Sequence, residues 1–134
     1  MTGPARGVLD TSIFIASESG RALDEAQLPE EAAISVITLA ELHVGVLAAK
    51  DTDTRSRRLA TLNAVADVEV LQVDEQVAVA WARLRVQLAE SGRRVNVNGL
   101  WIAATAVSND LPVITQDADY EPLQALGEVS VINV

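Results

Sequence analysis

Residues 96–115 read NVNGLWIAATAVSNDLPVIT. The run from Leu100 to Val107 is apolar and rich in small residues, the composition of a buried helix. Asn98 is placed to cap it, which leaves Gly99 in the first turn. Asn109-Asp110 stop the helix ahead of Pro112, and Pro112–Thr115 reads as a strand. A buried helix running through a short break into an apolar strand is the signature of alternating α/β structure. Gly99 is the odd feature. Glycine inside a helix costs about 1 kcal/mol relative to alanine, and a helix N-terminus favours a carboxylate because the macrodipole is positive there.

The same alternation extends in both directions. Toward the N-terminus, Gly7-Val8-Leu9 is a short strand running into Asp10, and Ala33–Val36 is a second strand. A helix is expected from Thr38 through Leu39, Leu42 and Val46, and another over 54–65. Residues 68–73 (VEVLQV) form a third strand. Asp74 then caps a helix whose apolar stripe is Val77, Trp81, Leu84 and Leu88, at helical spacing, and Ser91-Gly92 ends it. After the strand at 112–115, a short helix over 121–126 leads to a fifth strand at 129–132. Strands separated by helices require crossover connections. The expected fold is therefore α/β, with a mostly parallel sheet of about five strands covered on both faces.

At 134 residues the chain fits one domain spanning 1–134. Hydrophobic residues make up 49% but aromatics only 3%, so the core must be built from Ala, Val, Leu and Ile. No apolar run approaches the roughly 20 residues that cross a bilayer. The opening MTGPARGVLD lacks the apolar centre of a signal peptide. The absence of cysteine removes disulfides, thiolate metal sites and cysteine nucleophiles. These features point to a cytoplasmic chain with no membrane attachment. A net charge of −9 argues against broad electrostatic binding of nucleic acid. Local basic patches remain, at Arg55, Arg57 and Arg58 and at Arg93 and Arg94.

In parallel α/β sheets ligands bind beyond the carboxyl ends of the strands. Acidic residues recur there. Asp10 ends the first strand, Glu41 lies one helical turn past the second, and Asp117 follows the fourth with Asp119 close behind. Each has an ordinary explanation. Asp10 before Thr11-Ser12 can be a helix cap. Glu41 can complete a capping box with Thr38, beside an Ile37–Leu42 staple. Asp117 and Asp119 can be turn residues. Convergence favours chemistry, because carboxylates crowded at one sheet edge raise one another's pKa unless a cation compensates. A hard divalent ion with oxygen ligands, Mg²⁺ or Mn²⁺, is the natural compensation. His43 is the only histidine, so a His-based zinc site or a Ser-His-Asp triad has little support, and His43 reads as an ordinary helix residue. Trp81 and Trp101 sit in apolar helical patterns and read as core. Glycine-rich phosphate loops are absent.

The segments VLDTSIFIA, ISVITLAELHVGV, NGLWIAATA and VITQDADY, in this order and spacing, resemble a PIN-domain ribonuclease toxin of the VapC type over essentially the whole chain. That resemblance implies a three-layer α/β/α domain and a Mg²⁺- or Mn²⁺-dependent endoribonuclease. It also implies a homodimer held inactive by a cognate VapB-like antitoxin that inserts a segment into the acidic groove. By the same resemblance, Asp10 and Glu41 match the first two acidic positions and Asp117 the fourth, with Asp119 as a helper. Thr11, Ser12 and Thr115 match hydroxyl residues that support the metal cluster or contact phosphate. The third acidic position, usually an aspartate in Asn-Asp-Leu-Trp-Ile-Ala-Ala, is Gly99 here, while Asn98 matches. A missing carboxylate implies weakened metal affinity and low nuclease activity. Arg93 and Arg94, or the Arg55/Arg57/Arg58 cluster, are candidates for guiding the RNA backbone.

Two other readings compete. A phosphoacceptor receiver domain also gathers acidic residues at a parallel sheet edge, but it needs a lysine beyond a late strand. The only lysine, Lys50, lies in the middle of the chain. A PIN-like binding module that grips a partner without cleaving anything is compatible with Gly99.

Overall fold

The computed structural model describes residues 3–134. Met1 and Thr2, part of the 1–134 span and of the N-terminal stretch quoted above, lie outside the described residues. Five strands form one parallel sheet in the order β3-β2-β1-β4-β5. They are β1 (Arg6–Leu9), β2 (Glu31–Ser35), β3 (Glu69–Leu71), β4 (Val113–Thr115) and β5 (Val131–Asn133). All four neighbouring pairs are parallel. The chain builds outward from β1 to β2 and β3, then crosses back to add β4 and β5 on the other side. The reversal between β1 and β4 opens a crevice at the carboxyl ends of the strands, the usual ligand position in such sheets.

Among the described residues six helices cover the sheet: α1 (Thr11–Glu18), α2 (Val36–Leu47), α3 (Thr52–Ala64), α4 (Glu75–Glu90), α5 (Val97–Ser108) and α6 (Glu121–Ala125). Successive strand residues point to opposite faces, and each face has its own core. Val8 packs with Val77, Leu84, Ile102, Val113 and Leu123 on the α4–α5–α6 side. Its neighbour Leu9 packs with Ile34, Leu42 and Val65 on the side of α2 and α3. Helix α5 is buried nearly all round, at Leu100, Ile102, Ala103, Ala104, Thr105 and Ala106. Its alanines let it lie close against β1, β2 and β4 while α4 packs along its outer side. Leu84 of α4 is fully buried, and such a side chain contributes about 1.5–3 kcal/mol. Trp81 and Trp101 stack between α4 and α5 with centroids 4.8 Å apart, against the larger core. Both therefore serve packing.

Several boundaries differ from the sequence expectation, each because a different residue wins the cap. Ser35, fully buried, accepts the Ile37 amide at 3.0 Å, so α2 begins at Val36 and the second strand stops at Ser35. The Thr38–Glu41 capping box does not form, since both residues lie inside the helix. Asn96, not Asn98, caps α5, accepting the Gly99 amide at 2.6 Å. Gly99 thus occupies the third helical position, still in the first turn. Asp51 caps α3, which begins at Thr52, two residues ahead of its expected start. The outer strands are also shorter or shifted, with β3 covering 69–71 and β5 covering 131–133. Helix α1 (TSIFIASE) and two 3₁₀ turns, Glu25–Gln27 and Ala118–Tyr120, are additional to the expected elements, because α1 is too short and too evenly apolar to show a helical stripe and three residues carry no periodic signal. Among the described residues, no helix is long and apolar enough to cross a membrane.

Candidate active site

Asp10 follows β1 directly. Its backbone N–H donates to the Ile114 carbonyl at 2.8 Å, so the strand ladder itself fixes where the residue sits. The residue is 6% exposed, and its carboxylate accepts from three donors among the described residues. Asp10 Oδ2 accepts from the Thr115 hydroxyl at 2.9 Å and from the Ser12 amide at 3.2 Å, while Oδ1 accepts from the Tyr120 hydroxyl at 2.8 Å. Asp10 is thus the cap of α1, and capping does not exclude a further role for its carboxylate. The proton order of the hydroxyl chain follows from counting. Thr115 has one proton, and it goes to Asp10, so Ser12 donates across the 3.1 Å contact to Thr115. Ser12 in turn accepts the Gln116 amide at 3.0 Å, and Thr115 accepts the Asp117 amide at 2.9 Å.

Glu41 reaches the same place from α2. Its Oε1 accepts a 2.7 Å hydrogen bond from the hydroxyl of Thr11, the residue after Asp10, and Thr11 is also bonded to the buried Thr38 hydroxyl at 3.1 Å. Asp117 caps the 3₁₀ turn Ala118–Tyr120 by accepting the Asp119 amide at 2.9 Å, and the turn swings Tyr120 back beneath Asp10. Burial pushes the Tyr120 phenol well above its ordinary pKa, and the Asp10 charge adds to the effect. Tyr120 therefore stays protonated and remains a donor.

Asp10, Thr11, Ser12, Glu41, Asn96, Asn98, Gly99, Asp117, Asp119 and Tyr120 line one cavity of about 120 Å³, with Val95, Ile102 and Ile15 completing it. The four expected carboxylates and Gly99 are thus brought to a single place, and among the described residues no lysine or arginine lines it. Thr115 stands behind it, fully buried under Asp10. Asn98 faces the cavity without capping the helix. A Cβ on Gly99 would lie 3.2 Å from Asn96 Oδ1, 3.4 Å from Val95 Cγ1 and 3.6 Å from Tyr120 Oη. A side chain at position 99 would therefore enter the site.

The carboxylates share the cavity but do not close on one point. Among the described residues, no three His, Cys, Asp or Glu side chains approach closely enough to form a ready metal cluster. The local bonding explains this spread, since Asp10 is held by three donors, Glu41 is tied to Thr11, and Gly99 brings no oxygen. The donor set is nonetheless all oxygen and anionic, with asparagine amides beside it. That chemistry fits a hard divalent cation and does not fit zinc or copper.

The arginines separate into bound and available. Arg55 donates to the Ala49 carbonyl at 2.8 Å and Arg58 to the Gly45 carbonyl at 2.7 Å, so both tie α3 to the end of α2. Arg57 and Arg58 border a larger groove of about 570 Å³, which shares Thr11, Ile15 and Glu41 with the acidic cavity. Across the site, Arg93 and Arg94 border a cleft that shares Asn96 and Asp119 with it. Arg93 lies 3.5 Å from Glu121. Arg94 is exposed, with no ion pair among the described residues. His43 is exposed on α2, outside the cavity. Sequence reasoning missed Tyr120 and Asn96, and it read Thr38 only as a cap partner of Glu41, whereas Thr38 bonds Thr11. Tyr120 had one available signal, as the only tyrosine of the chain, three residues after Asp117.

Residues 7–126 match the PIN domain family. The chain is 62% identical over 133 residues to Ribonuclease VapC5 of Mycobacterium tuberculosis (strain ATCC 25618 / H37Rv), covering 99% of this chain and 98% of that protein. Ribonuclease VapC4 of the same organism is 40% identical over 129 residues, covering 96% and 97%. The crystal structure of VapBC-5 from Mycobacterium tuberculosis, a member of the VapBC family of toxin-antitoxin systems, superimposes with a TM-score of 0.91 at 60% identity. That match covers 98% of this chain and 100% of the matched one.

Proposed function

The chain belongs to the VapC-type PIN-domain family, and from that premise we propose that it is the toxin of a type II toxin–antitoxin pair, a metal-dependent endoribonuclease folded as one domain over 1–134. The observation that carries this reading is the meeting of Asp10, Glu41, Asp117 and Asp119 on one cavity that, among the described residues, no basic side chain lines. Asp10, Glu41 and Asp117 would hold Mg²⁺ or Mn²⁺, with Asp119 as a helper. When bound, such an ion acidifies water and offsets the negative charge that builds on a phosphate during hydrolysis.

The chain's own residues do the positioning. Thr11 fixes the Glu41 carboxylate, and the Ser12–Thr115 relay fixes Asp10 against β4. Asn98 offers an amide to the substrate side of the cavity. Arg94, with Arg93 in the same cleft, binds a backbone phosphate entering beside Asp119 and draws RNA toward an otherwise repulsive site. Gly99 withholds one carboxylate, so the site has low cation affinity and low turnover. A VapB-like antitoxin is the partner. Its inserted segment carries Arg or Lys to match the unneutralised carboxylates. The working form is a cytoplasmic homodimer.

The test is RNA cleavage by the purified chain in Mn²⁺ or Mg²⁺ and in EDTA, beside Asp10→Asn. Slow cleavage that needs the metal and disappears in Asp10→Asn supports the reading; cleavage indifferent to both opposes it. Gly99 and the spread of the carboxylates favour one second reading, a PIN-like module that binds RNA or its partner without cutting. Family membership displaces the receiver-domain reading. Lys50 agrees, since it is exposed beyond α2 and does not line the cavity.

A further inference from the structure

We propose that Tyr120 is a positioning residue, whose hydroxyl fixes the Asp10 carboxylate and thereby sets the divalent-cation affinity of the acidic cavity. The inference rests on the reading of that cavity as a cation site.

The two oxygens of Asp10 are held differently. Oδ2 is turned into the protein by Thr115 and the Ser12 amide. Among the described residues Oδ1 has one donor, the Tyr120 hydroxyl at 2.8 Å. A carboxylate oxygen has about two lone-pair sites, so Oδ1 keeps one for a ligand while Tyr120 sets its direction. The Tyr120 ring is 2% exposed and belongs to the core with Leu123 and Val129, so the donor is rigidly mounted. Packing alone would be met by phenylalanine; the hydroxyl is the added element. It also stands 3.6 Å from where a Cβ on residue 99 would be, between Asp10 and the position that lacks a carboxylate. With Gly99 contributing nothing, the orientation of Asp10 carries more of the site's affinity. Partners that orient a metal ligand are typically worth about 10–100-fold in affinity.

The experiment is calorimetric titration with Mn²⁺ of the full chain, Tyr120→Phe, Asp10→Asn and the double variant, repeated with Gly99→Asp in all four. Thermal melts confirm that each protein is folded. Tyr120→Phe is expected to weaken Mn²⁺ binding about tenfold and to have no further effect once Asp10 is Asn, a dependence that a packing role would not produce. Equal affinity of the parent and Tyr120→Phe, with Asp10→Asn still losing the ion, overturns the role of Tyr120 and leaves the cation site standing. Absence of Mn²⁺ binding in both backgrounds, or binding indifferent to Asp10→Asn, overturns the site and this proposal together.

Discussion

The Thr11 hydroxyl donates a 2.7 Å hydrogen bond to Glu41 Oε1, joining the residue that follows Asp10 to a carboxylate 30 positions away on another helix. This contact couples the end of β1 to α2, and Thr11 is itself nearly buried. Hydrogen bonds to charged groups contribute about 1.5–3 kcal/mol. Thr11→Val keeps the shape and removes the donor, so a loss of about 1–2 kcal/mol in denaturant stability is expected. The same variant should bind Mn²⁺ more weakly, because Glu41 is no longer aimed. A variant as stable as the parent, with unchanged Mn²⁺ affinity, would remove Thr11 from the account.

Arg94 and Arg93 are neighbours in sequence but differ in availability. Arg93 is already near Glu121, whereas Arg94 is exposed and has no ion pair among the described residues. Fluorescence anisotropy with a single-stranded RNA in EDTA should show weaker binding for Arg94→Ala. The slope of log K against log salt should flatten by about one unit, the signature of one lost phosphate contact. Arg93→Ala should have the smaller effect. Equal binding by both variants and the parent would exclude this cleft as the RNA path.

Asn96 and Asn98 are both suited by type to cap a helix, yet only Asn96 accepts the Gly99 amide, at 2.6 Å. Asn96→Ala should cost about 1 kcal/mol in urea unfolding. Asn98→Ala should cost clearly less in stability, and its effect should appear in RNA cleavage. The reverse order of stabilities would contradict this helix start.

Asp51 caps α3 through the Thr54 amide at 2.8 Å and the Thr54 hydroxyl at 3.0 Å. The amide bond, then the hydroxyl, then the charges of Arg57 and Arg58 hold its carboxyl below the ordinary carboxylate value. A folded pKa below the unfolded one adds stability above the unfolded value of about 3.9. That contribution is lost as pH falls through the lower folded value. Melting temperatures of the parent and Asp51→Ala should therefore differ at neutral pH and converge under acid. A gap that stays constant down to strongly acidic pH would rule out a charged cap.

The sheet was legible because its strands are short apolar runs separated by helix-length patterns, which leave few connections open. The Asp74 cap and the Val77, Leu84 and Leu88 stripe were readable for the same reason. Caps were harder where two good residues lie close together, as with Asn96 and Asn98 or Ser35 and Thr38. Propensity does not choose between them; the packing of the following helix does. Asp10, Glu41 and Asp117 were visible as acidic residues at strand ends, but that they share one cavity is a property of the topology. Tyr120 was invisible as a donor because its contact with Asp10 spans 110 positions and depends on an unsignalled 3₁₀ turn.

If this cavity is a cation-dependent nuclease site held back by Gly99, restoring a carboxylate at position 99 should release it. The most direct measurement is the rate of RNA cleavage by the parent chain and by Gly99→Asp, in Mn²⁺ and in EDTA. A Cβ at position 99 meets Asn96 Oδ1 at 3.2 Å, a contact the asparagine side chain can relieve by shifting a few tenths of an ångström. Gly99→Asp is expected to cleave at least about tenfold faster than the parent, with EDTA abolishing the gain. Equal rates for the two proteins, whether both vigorous or both absent, would contradict the claim.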